Sequence, residues 1–372
     1  MKSLDDNALS SVHGQAYFAV DQYSHPDPAV NANYMRLNLG LDIETMLNAE
    51  TLELGRYDRS GEKPGSSDVL INNFGLGYIY DSNFYSSNPD AVRPVKSDGS
   101  GYLNGEIVPF QIHNPFLEFA FDETSGIPIG MRIGFGDSQG MLSGNIKSLT
   151  GNVNVDIIDH GEGLSDASSS GNFFDQIIVL LTPLLEKNSP IHTKGQLVDN
   201  QGNIDPIRAE MIGVPDGEKF VLEGASSFTR WSLKNLLAWG SSSEIDVPGC
   251  SFFNCPGGDI IVTVQDCKVL GIDACFDLSQ YNSFPIGEVS EINGKRYLTG
   301  PSPGLFLSFQ TKNLAWLKET KIDNPQVSDF IQTTSGAFFN VPNSAVQVNL
   351  YEALYGTDRV RGEYIDRGLG LF

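Results

Sequence analysis

The sequence predicts an all-β fold, sandwich-like or otherwise β-rich, with two or three short helical insertions. Three observations support this class. Many short segments alternate apolar and polar residues, as strands with one buried face do. Gly accounts for 39 of 372 residues, among abundant Asn, Ser and Asp, which indicates many turns. Only a few segments carry a helical period, so strands separated by turns dominate, as in sandwiches and barrels.

The first 33 residues have the pattern of an N-terminal arm rather than of core. Ser3 with Asp6 and Gly14 indicates a short helix with a weak capping box and a glycine stop. Residues 15–23 form a candidate strand, and a linker containing Pro26 and Pro28 follows. The predicted organisation is therefore an assembly arm over residues 1–33 and a β-rich domain over residues 34–372.

The strand of this arm is a candidate assembly interface. Its predicted contact residues are Tyr17, Phe18, Ala19 and Val20, since both strand faces carry an aromatic residue and a further small or apolar one. A free strand of this kind can pair with a sheet in the next copy and build a fibre. The alternative is that it pairs within its own chain. Deletion of residues 1–24 is expected to leave a folded domain that no longer polymerises.

The strands of the main domain are predicted from a period of two. In residues 34–43, Met35, Leu37 and Leu39 alternate with Arg36 and Asn38, which predicts a buried apolar face and an exposed polar one. The same alternation recurs in residues 52–54, 74–80, 129–135, 153–157, 259–265 and 305–309.

Two segments carry a helical pattern. Residues 173–185 place their apolar side chains on a broad stripe of period 3.6, with Asn172 as a candidate cap and Pro183 as a candidate kink. A second helix is expected over residues 227–239. Residues 161–171 form a Ser/Gly/Asp loop that is the one candidate for an internal domain boundary.

The four cysteines lie in one short window and predict two disulfides. Cys250, Cys255, Cys267 and Cys275 allow three pairings, and the one that closes the smallest loops joins Cys250 to Cys255 and Cys267 to Cys275. Their spacing does not match a zinc ribbon. Disulfides indicate an oxidising compartment, so we expect an extracellular or outer-surface location after export with a cleaved signal peptide not present in this chain.

The charge balance limits the partners. With 24 basic and 46 acidic residues the formal net charge is −22, which opposes contact with nucleic acid and with anionic membrane surfaces. No apolar run reaches the roughly 18–20 residues of a membrane helix, so no membrane insertion is expected.

No residue pattern indicates catalysis, so we predict no enzymatic activity, no cofactor and no firm metal site. The Gly-x-Ser-x-Gly motif is absent and no histidine pair has metal-ligand spacing. A glycosidase carboxylate pair leaves no sequence signature, so that alternative stays open. Two further candidates compete with simpler interpretations, solvated turns and core packing respectively. The first is a calcium site at the acidic turns, formed by Asp156, Asp159, Glu162 and Asp166, with Asp98 in a second turn. The second is a sugar-binding platform formed by Tyr78, Tyr80, Phe84 and Tyr85.

One resemblance bears on function. Residues 4–15 match the pattern L-x-D-x-x-L-S-x-V-x-G-Q, which resembles the mature N-terminus of Fil-type, pilus-associated secreted proteins of Gram-negative bacteria; residues 132–153 are also similar to a stretch of that group. Residues 4–14 also resemble a double-glycine leader, although Gln15 follows Gly14. The family resemblance implies an exported surface protein, since members of this group are described as filament or adhesin components. It contributes no catalytic residue.

The leading hypothesis is therefore an extracellular structural protein, a self-assembling filament or pilus-associated subunit. The alternatives are a secreted carbohydrate-binding adhesin module and a secreted glycoside hydrolase.

Overall fold

The structure, a computed structural model, describes residues 18–319 and 324–360. In these ranges the chain is mostly strand with a few short helices, which confirms the predicted all-β class. The helices are α1 (Ser82–Ser87), α2 (Phe173–Leu185), α3 (Ser227–Ser232) and α4 (Leu350–Tyr355). A π-helical turn (Leu233–Leu237) and a 3₁₀ turn (Ala238–Gly240) extend α3, and other 3₁₀ turns are Gly161–Asp166, Leu278–Gln280 and Val327–Asp329.

The strands of the first half of the chain include the longest one. They are β1 (Phe18–Ser24), β2 (Ala32–Leu39), β3 (Asp42–Thr45), β4 (Leu47–Arg56), β5 (Ser67–Leu76), β6 (Tyr78–Ile79), β7 (Arg93–Pro94), β8 (Ile107–Val108), β9 (Phe110–Asp122), β10 (Pro128–Leu149), β11 (Gly151–Val153), β12 (Val155–His160) and β13 (Pro190–Val198).

The remaining strands are shorter. They are β14 (Met211–Gly213), β15 (Lys219–Ala225), β16 (Ile245–Asp246), β17 (Gly258–Thr263), β18 (Lys268–Val269), β19 (Ile272–Asp273), β20 (Cys275–Asp277), β21 (Ser283–Ile286), β22 (Glu288–Ile292), β23 (Lys295–Gly300), β24 (Ser302–Pro303), β25 (Phe306–Gln310), β26 (Leu314–Leu317), β27 (Phe330–Thr333), β28 (Gly336–Val341) and β29 (Gln347–Val348).

Two large sheets organise the described residues. The first sheet has the order β1-β2-β9-β10-β25-β28-β11, with β3, β4, β5, β21 and β24 attached beside this path. The second sheet has the order β16-β17-β15-β13-β12-β29, with β14 and β20 attached. The largest buried cluster draws apolar side chains from both sheets and from both sides of residues 161–171.

The 22-residue strand β10 connects the two parts of the first sheet. Its first half pairs with β9 and β25, and its second half pairs with β5 and β21. Gly140 lies between the halves with φ +145, and a Cβ there would lie 2.9 Å from the Cα of Phe110, so this crossing requires glycine. A second buried cluster forms where the β26–β27 hairpin covers the first half of the sheet.

The predicted helices are present in modified form. Asn172 caps α2 through a complete capping box, and the helix continues through Pro183 to Leu185. The second predicted helix begins at Ser227 as expected, but it changes to π and then 3₁₀ geometry before Gly240.

The predicted orientation of two strands is wrong. Arg36 of β2 and Arg132 of β10 are buried, whereas Met35 and Leu37 are only half-buried and Ile133 is exposed. The physical reason is that the arginines are neutralised by carboxylates and covered by aromatic rings, so the polar side of the alternation is the inner one.

Candidate functional site

The site best supported by the sequence prediction is the edge of the first sheet formed by β1. This strand pairs antiparallel with β2 of the same chain along its whole length, from Phe18 opposite Leu39 to Ser24 opposite Asn33. In the structure the strand therefore pairs within its own chain, which is the alternative to pairing with the next copy. Tyr17 lies outside the described residues, as do the predicted N-terminal helix and the double-glycine-like segment.

The inner face of β1 holds the strand to its own sheet. The Tyr23 hydroxyl donates to Glu118 Oε1 at 2.7 Å, and its ring stacks on Tyr34 with centroids 4.9 Å apart. Asp21 Oδ2 accepts from Arg36 Nη2 at 2.9 Å. Burial opposes ionisation of Asp21, but the hydrogen bonds from Arg36 and Asn38 outweigh it and lower the pKa of this carboxyl.

These contacts belong to a row of alternating charges across four strands. The register places Asp21 opposite Arg36, Arg36 opposite Glu118, and Glu118 opposite Arg132. Arg132 Nε donates to Glu118, and its Nη1 donates to the Leu317 carbonyl at 2.6 Å. The guanidinium carbon of Arg132 lies 4.8 Å from the ring centroid of Phe306, one of three aromatic rings around it. We call these four residues the charge row.

The opposite face of the same strands carries an apolar row. Opposed residues of an antiparallel pair share a face, and the register joins Val20, Leu37, Leu117, Ile133 and Leu307 in one line. A second line lies beside it and contains Gln22, Met35, Phe119, Met131 and Phe309.

This apolar surface is open at the β1 side. Phe18, Val20 and Ile133 are 63%, 61% and 46% exposed, respectively. Leu37, Leu117, Met35, Phe119 and Met131 are half-buried, and none of them belongs to a buried cluster of the described residues or packs against one. Phe309 at the far side does pack against the main core. We call Phe18, Val20, Met35, Leu37, Leu117, Phe119, Met131 and Ile133 the sheet face.

The predicted disulfides are both present. Cys250 pairs with Cys255 and Cys267 pairs with Cys275, and no cysteine is left free. The first closes a loop that carries Phe252 and Phe253, and the second joins the segment before β18 to β20.

The acidic turns do not bring three metal-ligating side chains together in the part of the chain that the structure describes. No group of three or more metal-ligating side chains occurs there. Asp159 Oδ2 instead accepts from the backbone N–H of Leu350 at 2.8 Å, and Glu162 pairs with Lys187 at 2.9 Å. Hydrogen bonds from Ser100 lower the pKa of Asp98. Calcium at Asp156, Asp159, Glu162, Asp166 or Asp98 stays a prediction.

The predicted sugar platform is mainly a small core. Tyr78 and Tyr85 are buried, and their hydroxyl oxygens are 2.6 Å apart. Desolvation raises the pKa of both phenols. The ring centroids of Tyr80 and Tyr85 are 5.1 Å apart in a stacked arrangement. Phe84 packs against the same cluster and also lines a cleft of about 400 Å³ at the surface.

This cleft combines aromatic and acidic side chains from distant parts of the sequence. Tyr351 and Tyr355 of α4 line it with Phe84, and their own ring centroids are 5.1 Å apart. Asp90 and Asp358 contribute carboxylates. Sequence reasoning missed α4 and this cleft, since no local pattern indicates that residues 84–92 and 351–360 meet.

Comparisons with known proteins identify no relative. No family model, no curated protein and no solved structure matches the chain. Among the described helices, none combines the length and apolar character required to cross a bilayer.

Proposed function

We propose that the protein is an extracellular structural subunit that assembles with copies of itself, as a filament or pilus-associated surface component. The observation that carries this proposal is the sheet face, which extends the predicted interface residues Phe18 and Val20 across four strands. Apolar surface of this extent on one side of a sheet is normally covered by another layer. In this protein a second copy would supply that layer.

The edge of the sheet adds a second means of contact. Strand β1 has the sequence FAVDQYS, without the proline or lysine that commonly protects an edge, and its pairing with β2 has no bulge. Phe18, Ala19 and Val20 are all exposed on this strand. A strand from a neighbouring copy could therefore pair along β1 while its side chains pack on the sheet face.

The remaining support comes from chemistry and from the sequence. Two disulfides favour an oxidising compartment, and hence a location outside the cytoplasm. The resemblance of residues 4–15 and 132–153 to Fil-type secreted proteins favours export and a surface role. The net charge of −22 disfavours nucleic acid as a partner.

Two lysine substitutions test the proposal. Val20→Lys and Ile133→Lys each place a charge on the sheet face at an exposed position, so the isolated fold should be retained while association through the sheet face is lost. Ile127→Lys is the matched control, since Ile127 is 60% exposed and lies outside that face. Electron microscopy and sedimentation velocity of the full chain should show assemblies larger than a dimer for the wild type and the control only. Unchanged assembly of both sheet-face variants, or a monomeric wild type, would contradict the proposal.

A second candidate function is carbohydrate binding, and the cleft at α4 is the observation that favours it. Tyrosine rings stack on sugar rings and carboxylates accept hydrogen bonds from sugar hydroxyls, and the cleft supplies both. Binding of the wild type to a printed glycan array, lost in Tyr351→Ala and retained in Phe253→Ala, would support it. Absence of binding to any glycan on the array would count against it.

A further inference from the structure

Two helical segments lie side by side at the surface, remote in sequence from the sheet face. They are α2 and residues 227–240, and they run antiparallel because contacts join both ends. Asn172 Nδ2 donates to the Gly240 carbonyl at 2.7 Å, and the Ser226 backbone N–H donates to Glu186 Oε1 at 3.0 Å. Between these ends, the inner stripe of α2 buries Ile178 and Val179 in the main core.

The outer surface of this pair is also apolar. Its ten large side chains have exposed fractions between 38% and 95%. We call them the helical face: Phe173, Leu180, Leu181, Leu184, Leu185, Phe228, Leu236, Trp239, Phe252 and Phe253. The surface is continuous with the disulfide loop, because Trp231 Nε1 donates to the Phe252 carbonyl at 2.9 Å and their rings are in contact.

A helix that is apolar on all sides belongs in an interior. Helix α2 has one apolar side in its own core and a second in solvent, so its outer side lacks the layer that its composition requires. The ten side chains together expose on the order of 1,000 Å² of apolar surface, whereas the largest patch on a typical monomer is about 300–600 Å². A stable protein interface needs about 800 Å² from each partner, which this face can supply.

The charges near the face indicate what kind of partner covers it. The carboxylates of Asp175 and Glu186 and the guanidinium of Arg230 are turned inward and hydrogen-bonded. Within the two helical segments Lys234 is the exposed basic residue. Helices that lie on lipid surfaces usually carry many Lys and Arg residues on their polar side. A single exposed basic residue in these segments favours protein over lipid.

We propose that the helical face is a second contact between copies of this chain, separate from the sheet face. The inference rests on the proposed function in one respect: with two different self-contacts the assembly becomes open-ended. One self-complementary face alone closes as a dimer, whereas two separate faces link copies without end. A neutral face also suits a chain of net charge −22, since it brings the fewest carboxylates together.

The test uses the full chain in a background where the sheet face is blocked by Val20→Lys and Ile133→Lys. In that background the helical face should give dimers by sedimentation equilibrium. Adding Leu184→Asp or Trp239→Ser should raise the dimer dissociation constant about 30-fold or more, as for the central residues of an interface. Leu103→Asp is the matched control, because Leu103 is 69% exposed and lies outside both faces.

The two proposals fail in different ways. If only the helical face acts, the wild type is a dimer, and Leu184→Asp makes it a monomer while Val20→Lys does not. If the blocked background is monomeric at all concentrations, or if Leu184→Asp leaves its dimers intact, the helical-face inference is overturned. If the protein is monomeric and floats with neutral phosphatidylcholine vesicles, and Trp239→Ser abolishes this flotation, the helical face binds lipid. That result would also overturn the helical-face inference.

Discussion

At the scale of single residues, the charge row is the least expected feature. Glu118 and Arg132 are fully buried, and each depends on the other because an unpaired buried charge is costly. Hydrogen bonds to Tyr23 and to the Leu317 carbonyl tie β1 and the β26–β27 hairpin to the same pair. The row therefore fixes which side of the sheet faces inward.

Arg132→Met should lower the free energy of unfolding by about 3–5 kcal/mol, since it leaves Glu118 buried without its cation. The double substitution Arg132→Met with Glu118→Leu should be more stable than the single one, because an apolar pair needs no neutralisation. Urea denaturation of the three proteins measures both effects. A double variant less stable than Arg132→Met alone would show that the pair is not coupled in this way.

Asp175 is a second residue with a defined electrostatic role. Burial opposes its ionisation, but the hydroxyls of Ser241 and Ser242 and backbone N–H groups outweigh this and lower its pKa. A carboxyl whose pKa is lower in the folded state stabilises the fold above its unfolded pKa of about 3.9, and this contribution is lost as the pH falls through the folded value.

Asp175→Asn should therefore cost about 1–3 kcal/mol at neutral pH, because an amide cannot accept all of these hydrogen bonds. The difference from wild type should shrink as the pH falls below about 3.9. Urea denaturation at several pH values measures it, with Asp246→Asn at an exposed position as the control. A pH-independent difference would indicate a packing effect instead of ionisation.

At the scale of elements, one disulfide stabilises strands next to the main core and the other stabilises a surface loop. Cys267–Cys275 lies beside strands whose apolar residues are in the main core, whereas Cys250–Cys255 closes a surface loop that presents Phe252 and Phe253. Each closes a short loop, for which the entropic contribution is about 2–3 kcal/mol. The consequences of removing them should therefore differ in kind.

Replacing Cys267 and Cys275 by serine should lower the free energy of unfolding by about 2–3 kcal/mol and leave self-association unchanged. Replacing Cys250 and Cys255 should in addition weaken association, because the two phenylalanines lose their fixed positions. Denaturation and sedimentation of both variants separate the effects. Alkylation of the native protein without reductant should label no thiol; four labelled cysteines would contradict the pairing.

At the scale of the whole molecule, charge opposes the assembly that the apolar faces favour. Each copy carries a formal charge of −22, so association brings like charges together. Added salt screens this repulsion and also strengthens apolar contacts. Self-association should therefore tighten when NaCl is raised from about 0.02 M to about 0.5 M, as measured by sedimentation. Weakening with salt would indicate an interface built from ion pairs, contrary to both proposed faces.

The sequence by itself determined the all-β class, the cap at Asn172 and the presence of two disulfides among the four cysteines, since these depend on local spacing and backbone preference. It also singled out Phe18 and Val20, because an aromatic and an apolar residue on one strand face are visible in the alternation. The predicted arm, its division from the rest of the chain at residue 33, and the location outside the cell stay predictions.

The tertiary structure alone decided which face of β2 and of β10 is buried. Alternation shows that β2 and β10 have two chemically different sides, but it does not show that Arg36 and Arg132 find carboxylates and aromatic rings on neighbouring strands. The same holds for the outer side of α2, whose leucines look like core residues in the sequence. Burial is a property of what packs against a side chain, and those partners lie tens to hundreds of residues away.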